Sequence, residues 1–589
     1  MRERAAVLGS GGGAMRQKSS IFRLRNVLLA ALLSMPAASA AQQGVTYVSQ
    51  GWRWTSAARA DFYTRDQGSQ IIPLAWARAL KRGDGQPFLA DGLARYGYLP
   101  NPSNASGLPV GFMAGGPAGA QLAMNCSACH TRQITVDNRE YRIDGAPAIV
   151  DFEAFLTDLD AAVAQVLASP AAFGAFAASV LGANPSPARV AELRAQVEDW
   201  YRREHAMIER AVRGSGWGLG RLDAVSMIFN RVSGLDIGPP PSFLIEHNIQ
   251  RADAPVRYPF LWNAPRQDRT QWPGFAQNGN DLLGLARNLG QVYGVYGRFR
   301  PRRNGNRVDF LADNSANFPN LERLETLVER IGPPRWRWAS RASVARAGEA
   351  IFNRGWQQGG CAECHGERRG AFRFTLLPTW ATPLCDVGTD SRQYQILART
   401  ADTGVFQGAR RPFGTPVGAQ AKAFDLLGLA VVGSIFQRAL GFSLFSYDPA
   451  ASQSPPQQQS ALARQILSIY SPAPNDACDN AALNADFPFK YESRVLQGIW
   501  ATAPYLHNGS VPTLADLLSP GLNRPSSFAL GRRYDLDRVG LAADQGPGAP
   551  VRTTTCEERD SGNSRCGHEY GVSLSETEKA ALLEYLRTL

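Results

Sequence analysis

Long apolar runs, histidine and methionine are all scarce in this chain of 589 residues. No run of about 18 or more apolar residues occurs, which argues against a bundle of membrane-spanning helices. A hydrophobic fraction of 44% excludes a disordered or collagen-like chain and is enough for a large buried core. Only six histidines are present, and all seven methionines lie at or before Met227. The second half of the chain therefore offers no methionine as a haem ligand.

The N-terminus has the pattern of a secretory signal. Basic residues between Arg16 and Arg25 precede the apolar run 27–33, and Ala38-Ser39-Ala40 supplies the small-x-small cleavage site. The run is too short for a membrane-spanning helix, so we expect residues 1–40 to be removed and the mature protein, without a membrane span, to be periplasmic or secreted. A disordered basic tail is the alternative.

The net charge of +11 gives little support for a nucleic-acid partner. Residues 1–40 contribute five of those charges, which leaves a mature chain of about 549 residues with a mild positive bias. Nucleic-acid-binding domains concentrate much more positive charge on one face. We therefore expect no nucleic-acid partner.

Two Cys-x-x-Cys-His motifs, Cys126–His130 and Cys361–His365, carry the clearest chemistry. Two thiols three positions apart can each bond a vinyl group of one porphyrin, and the adjacent histidine then ligates the iron. The sequence therefore predicts two covalently bound haem c groups. The attachment residues are Cys126, Cys129, Cys361 and Cys364, and the axial ligands are His130 and His365. A thioredoxin-like pair or half of a zinc site would leave both histidines unexplained.

The other four cysteines have no haem-motif context. In an exported protein they are expected to form structural disulfides. Cys556 with Cys566 would close a short loop, and Cys385 with Cys478 is the pair that remains. Sequence alone does not fix this connectivity.

The motifs lie 235 residues apart, which predicts two haem domains. The expected fold is mainly α, with two cytochrome c-like haem domains and long loop-rich insertions. The N-terminal domain would span residues 41–335, with a helical insertion over 151–213, and the C-terminal domain 336–589. Alternating strand patterns are scarce, and the run 454–459 is expected to be a loop or linker.

Helical patterns flank the second motif. Apolar residues at helical spacing begin near Ser343 and lead toward Cys361. The segment Ser575–Glu578 is a capping box that opens a final helix ending at Leu589. These patterns are typical of the first and last helices of a cytochrome c domain, which cross beside the haem.

The ligand on the open side of each iron decides between catalysis and electron transfer. The second half contains no methionine, so His568 is the favoured second ligand of the His365 haem. His507 is an alternative ligand, or it supports a haem through hydrogen bonds. The remaining histidines, at 205 and 247, are expected to be solvated. The His130 haem therefore lacks an obvious second ligand.

The chain resembles the bacterial di-haem cytochrome c peroxidase superfamily. The resemblance rests on the two haem motifs, the export signal, the segment Thr502–Ser510 and the closing segment Leu583–Leu589. That superfamily includes di-haem peroxidases, the enzyme that matures the tryptophan cofactor of methylamine dehydrogenase, and rubber oxygenases. Length and the missing second-half methionine make this chain most similar to the rubber oxygenases.

The resemblance implies that His130 ligates a reactive haem and that His365 and His568 ligate an electron-transfer haem. Four aromatic residues are candidates for an apolar distal pocket over the first haem, with ordinary core packing as the alternative: Phe260, Trp262, Trp272 and Phe275. A Ca²⁺ ion occurs in the small peroxidases, but no acidic cluster here requires one.

Two functions of different class follow. In the first, the protein is a haem-dependent oxidoreductase of dioxygenase or peroxidase type, which activates O2 or H2O2 and acts on an apolar organic substrate such as a polyene. In the second, it is an electron carrier with both irons six-coordinate, serving a redox protein partner. Capping of the first iron by one of four residues would favour the carrier: Met113, Met124, His205 or His247.

Overall fold

Helices and short strands alternate along the chain. The computed structural model describes residues 44–367, 369–372, 378–410, 415–447, 489–546, 548 and 550–589. The expected signal at 1–40 and the linker at 454–459 lie outside these residues. The α-helices are Ser56–Thr64, Leu74–Ala79, Phe152–Leu167, Pro170–Leu181, Pro187–Met207, Ala224–Phe229, Asp281–Gly294, Phe318–Val328, Ala342–Phe352, Ala362–His365, Arg392–Ile396, Ala423–Leu440, Leu514–Leu517 and Glu576–Thr588.

The strands are short and pair locally. Two three-stranded sheets are described, one joining Thr46–Tyr47, Arg139–Asp144 and Thr131–Val136, the other joining Ile72–Pro73, Gln121–Met124 and Phe112–Gly115. The remaining strands form two-stranded pairs: Arg221–Leu222 with Val256–Arg257, Arg269–Thr270 with Ala276–Gln277, Arg302–Asn304 with Arg307–Asp309, Arg369–Phe372 with Pro378–Trp380, Leu384–Cys385 with Tyr491–Glu492, Thr400–Asp402 with Gln420–Lys422, Ser527–Phe528 with Val551–Arg552, and Tyr534–Asp535 with Gly540–Leu541. The mainly α class stays a prediction.

Serine and proline divide the helical insertion. Ser169 accepts a hydrogen bond from the backbone N–H of Ala172, and Pro170 is the first helical residue. The same Ser-Pro start recurs at Ser186, whose hydroxyl accepts from the N–H of Arg189. Both prolines suit the first turn, where the missing N–H has no helical partner. The predicted helical stretch is therefore three helices.

The first and last helices of the second half cross as the sequence predicts. The final helix begins with a capping box in which Ser575 and Glu578 each bond the other's backbone N–H. Gly348 lies against the backbone of Ala581 with no room for a side chain between them. The first of these helices ends at Phe352 rather than continuing to the motif, because a glycine-containing turn follows it.

One core crosses the predicted domain boundary. A cluster of buried residues includes Ile143 and Trp262 from the first half and Ile351, Trp500 and Leu582 from the second. Contacts group Val45–Leu589 as one compact unit. The boundary at 335/336 stays a prediction, and the packing across it is continuous.

Three described cysteines outside the motifs are disulfide-bonded. Cys556 and Cys566 are bonded to each other, which confirms the predicted short loop. Cys385 is also disulfide-bonded. Its expected partner, Cys478, lies outside the described residues.

The helix Ala423–Leu440 is apolar along most of its length. By length and composition it could cross a membrane, as could Phe152–Leu167 with Pro170–Leu181 if that bent pair were one span. However, 61% of Ala423–Leu440 is buried, and its residues pack with Phe275 and Phe310 in a separate core cluster. These contacts are typical of a core helix in a globular protein.

Candidate haem sites

Each Cys-x-x-Cys-His motif folds as a single tight turn. The His130 N–H donates to the Cys126 carbonyl at 3.0 Å, and the His365 N–H donates to the Cys361 carbonyl at 2.9 Å. Asn125 caps the first turn, because its side chain accepts from the Ser127 N–H at 3.0 Å. The two motifs therefore have the same local hydrogen bond despite their different surroundings.

Three of the four motif thiols have pKa values raised well above neutral pH. Burial raises the pKa of Cys126 to about 11 and the pKa values of Cys129 and Cys361 to about 12. Redox-active and metal-binding pairs instead depend on a readily formed thiolate. This environment gives no support to the thioredoxin-like or zinc alternatives.

Both motif histidines are oriented by a backbone carbonyl. Nδ1 of His130 donates to the Pro259 carbonyl at 2.8 Å, and Nδ1 of His365 donates to the Arg494 carbonyl at 2.7 Å. Such a bond fixes the tautomer and leaves Nε2 for a metal. Burial also lowers the pKa of both rings, that of His130 to about 4, so each is neutral as iron ligation requires.

A largely apolar cavity lies beside the second motif, and both His365 and His568 line it. Their ring centroids are 5.9 Å apart and the rings are inclined at 49°. Two imidazoles on opposite sides of one iron, with Fe–N bonds of about 2 Å, have centroids roughly 6 Å apart. The spacing therefore fits a bis-histidine haem.

The surroundings of His568 agree with a ligand role. Its backbone N–H donates to the Val387 carbonyl at 2.7 Å, and its Nδ1 is buried without a hydrogen-bond partner among the described residues. Burial, with His365 and Arg524 adding to it, lowers the pKa of His568 to about 3. A buried, neutral ring fits a haem ligand, and the orienting bond that Nδ1 makes in His130 and His365 has no counterpart at His568 among the described residues.

His507 lines the same cavity but lies flat on Tyr491. Their ring centroids are 3.9 Å apart with an angle of 14° between the planes, and Trp272 lies 6.4 Å from the His507 ring. Burial beside Arg257 lowers the pKa of His507 to about 3. The supporting role for His507 stays a prediction.

A second cavity lies beside the first motif. Within the described ranges, no histidine other than His130 lines it. His205 instead bonds Asp160 at 3.0 Å, and His247 bonds Asp402 at 2.6 Å. Neither ring therefore faces this cavity.

Two methionines line the first cavity. Met124 immediately precedes Asn125, and Met227 lies on the helix Ala224–Phe229. Met124 was among the candidate ligands from sequence, whereas Met113 does not line the cavity. Met227 was not among the candidate ligands from sequence. The sequence indicated only that it lies on a short helix after the cap residue Asp223.

The expected distal aromatics are placed differently from the prediction. Only Phe260 lines the first cavity, and it lines the second as well. Trp262 stacks behind Phe260 at 4.8 Å, and Trp272 lines only the second cavity. Phe275 packs on Phe424, in the core cluster that contains the helix Ala423–Leu440. The strands Arg269–Thr270 and Ala276–Gln277 form a hairpin in which Thr270 lines the first cavity and Trp272 the second. The distal-pocket role of these aromatic residues stays a prediction.

Arginines missed by the sequence reasoning face both cavities. Arg257 lines the cavity of the second motif, Arg287 that of the first, and Arg494 lines both. Nε and Nη1 of Arg494 are buried without hydrogen-bond partners among the described residues. Haem carries carboxylate side chains, and guanidinium groups are suited to bind them. The residues present therefore fit a haem in each cavity.

Part of the chain matches a known family. Residues 490–529, which include Arg494 and His507, match the family described as RoxA-like, cytochrome c-like. This match points to the rubber oxygenase-like cytochromes c and indicates a haem-containing oxidoreductase with covalently bound haem c.

Two relatives come from Sinorhizobium fredii (strain NBRC 101917 / NGR234). The chain is 28% identical over 620 aligned residues to the uncharacterized protein y4iJ, covering 92% of this chain and 93% of that protein. It is 41% identical over 85 residues to the uncharacterized protein y4iM, covering 13% of this chain and 19% of that protein. Neither name states a function.

Proposed function

We propose that this protein is an exported di-haem oxidoreductase that activates O2 or H2O2 at the His130 haem. The His365 haem, with His568 as second ligand, would transfer electrons. The observation that carries the proposal is the difference between the cavities. A second histidine lies 5.9 Å from His365, whereas none of the described residues brings a second histidine to the cavity of His130.

A haem with one protein ligand supplies an iron position at which O2 or peroxide can bind. The chain's contribution is to hold His130 through the Pro259 carbonyl, so that the ring stays neutral and aligned. Burial of the site excludes bulk water, which strengthens the electrostatic interactions there. Glu492 lines both cavities, and burial raises its pKa, so it is suited to hold a proton inside the protein.

Ligand binding distinguishes an open first haem from the electron-carrier alternative. Reduced protein should bind carbon monoxide at one of its two haems, measured by optical titration against total haem. Binding at neither haem would contradict the proposal and support the carrier.

Methionine variants identify a cap if one exists. Met227→Leu and Met124→Leu keep an apolar side chain of similar volume but remove the thioether. The proposal expects unchanged stoichiometry in both variants. A gain of ligand binding in either one would show that its thioether had closed the iron.

A polyene is the narrower substrate proposal. Its support is the RoxA-like match and the apolar residues Leu222, Met227 and Ile228 in the first cavity. O2 uptake with a soluble isoprenoid should then exceed uptake without it, and cleavage should give carbonyl products detectable by mass spectrometry. Turnover with H2O2 and a reduced electron donor, but none with the polyene, would assign the peroxidase class instead.

Export is part of the same proposal. Its support is the basic and apolar pattern within residues 1–40 and the disulfide Cys556–Cys566, which is typical of oxidising compartments. N-terminal sequencing of the expressed protein should begin at Ala41. A haem-loaded protein retaining residue 1 in the cytoplasm would contradict it.

A further inference from the structure

Three residues line both cavities: Phe260, Glu492 and Arg494. Arg494 is 5% exposed, and the carbon of its guanidinium lies 4.1 Å from the centroid of the Phe260 ring. Its Nη2 donates to Gln267 Oε1 at 2.8 Å. The wall between the two sites is therefore built around one buried cation.

Hydrogen bonds to backbone carbonyls connect this wall to both motif histidines. The Arg494 carbonyl accepts from Nδ1 of His365, and the carbonyl of Pro259, the residue before Phe260, accepts from Nδ1 of His130. Both bonds are made by backbone atoms. A change of the Arg494 side chain therefore removes its charge while keeping the bond that orients His365.

The charge of Arg494 is only partly compensated. Nε lies 3.7 Å from Glu492 Oε1, beyond hydrogen-bond distance, and neither Nε nor Nη1 has a hydrogen-bond partner among the described residues. Arg257 and Arg287 lie close enough to contribute repulsion in the same region. In a buried environment such a charge acts over a longer range than at the surface.

We propose that Arg494 is a positioning residue that sets the reduction potentials of both haem sites together. A fixed positive charge favours the reduced, less positive iron, so the guanidinium raises both potentials. Because this one side chain faces both sites, its charge shifts both reduction potentials in the same direction. This inference rests on the proposed function, since it requires a haem in each cavity.

The test is a spectroelectrochemical titration that measures the midpoint potentials of both haems. It is made on the full two-haem protein and on variants of the three arginines that line the cavities. Arg494→Gln should lower both midpoint potentials, each by about a tenfold change in the one-electron equilibrium, which equals about 59 mV. Arg257→Gln should lower the potential of the His365 haem more than that of the His130 haem, and Arg287→Gln should do the reverse. Arg494→Lys should retain most of the wild-type values.

Two results would overturn the inference. One is an Arg494→Gln protein that binds two haems with both potentials unchanged, and the other is a shift at only one haem. Arg494→Met, which keeps an apolar stem against Phe260, provides a second neutral variant if the glutamine variant folds poorly. A wild-type protein that binds fewer than two haems would instead refute the proposed function, which a haem count per chain reveals separately.

Discussion

The proposed ligation of the second haem depends on His568. Replacing it with alanine should remove one of two imidazoles whose centroids lie 5.9 Å apart and leave His365 as the only proposed ligand in that cavity. We expect the low-spin signal of this haem to convert to high spin, observed by electronic absorption and EPR.

His507→Ala is the matched control for that change. His507 lines the same cavity but stacks on Tyr491, so its loss should leave the low-spin signal in place. A shift in potential without a change of spin state would fit a supporting role. Loss of the low-spin signal in His507→Ala, but not in His568→Ala, would reverse the ligand assignment.

At the residue scale, sequence reasoning succeeded at one covalent bond, since Cys556–Cys566 forms the expected disulfide. The RoxA-like match over residues 490–529 indicates covalently bound haem c but covers neither motif, so the attachment residues stay a prediction. Residues that act through tertiary packing could not be found this way. Glu492 and Arg494 reach both cavities only because the segment around them folds between two motifs distant in sequence.

At the scale of elements, the Cys556–Cys566 disulfide holds the loop that presents His568. The bond closes a separation of 10 residues, and Cys566 lies two residues before the histidine. Replacing both cysteines with serine should destabilise the protein by about 3 kcal/mol, measured by denaturant unfolding. A partial loss of the low-spin signal should accompany it.

Denaturant unfolding reports on stability, and the low-spin signal reports on ligation. Reduced stability with full low-spin content would mean that the disulfide does not help to hold the ligand. The segment has further support, since the His568 N–H bonds the Val387 carbonyl two residues after the disulfide-bonded Cys385.

The crossing of the helices Ala342–Phe352 and Glu576–Thr588 depends on one glycine. A Cβ atom at residue 348 would lie 2.0 Å from the Ala581 carbonyl oxygen, which forces the helices apart. Gly348→Ala should destabilise the protein by about 2 kcal/mol, because overpacking outweighs the better helix propensity of alanine. Thermal unfolding measures the effect.

Gly174→Ala is the corresponding control. Gly174 lies within the helix Pro170–Leu181, and no atom is within 4 Å of a Cβ placed there. The same substitution should therefore stabilise the protein by about 0.5–1 kcal/mol. Equal effects at both positions would refute the role of the close approach at Gly348.

Element ends were predictable where a local hydrogen bond defines them. The capping box at Ser575 and Glu578 is visible in the sequence and present in the structure. The helix Ala342–Phe352 ends before the motif because the apolar spacing stops there and Gly355, Gly359 and Gly360 follow, a turn signal in the sequence that the prediction did not use. Short strands such as Leu384–Cys385 lack the alternation that sequence patterns need.

At the scale of the molecule, the two halves share buried contacts. Trp262 Nε1 donates to the Gln497 carbonyl at 2.7 Å, and Trp500 Nε1 donates to the Pro334 carbonyl at 2.9 Å. We therefore expect residues 45–589 to unfold in one transition, monitored by circular dichroism and by haem absorbance.

Separation of the halves tests this directly. Residues 45–335 expressed alone would expose Ile143 and Trp262 of the shared core and should fail to give a cooperative transition. A stable, haem-loaded fragment would contradict the continuous core and support the boundary at 335/336. The sequence predicted that boundary from motif spacing, which carries no information about packing between halves.

The central claim is that the two haems differ in ligation, one open and one bis-histidine. The EPR spectrum of the ferric protein as purified tests it most directly. We predict one high-spin and one low-spin haem in equal amounts, with the low-spin signal lost in His568→Ala. Two low-spin signals in the wild-type protein would contradict the account, since the first iron would then be capped at rest.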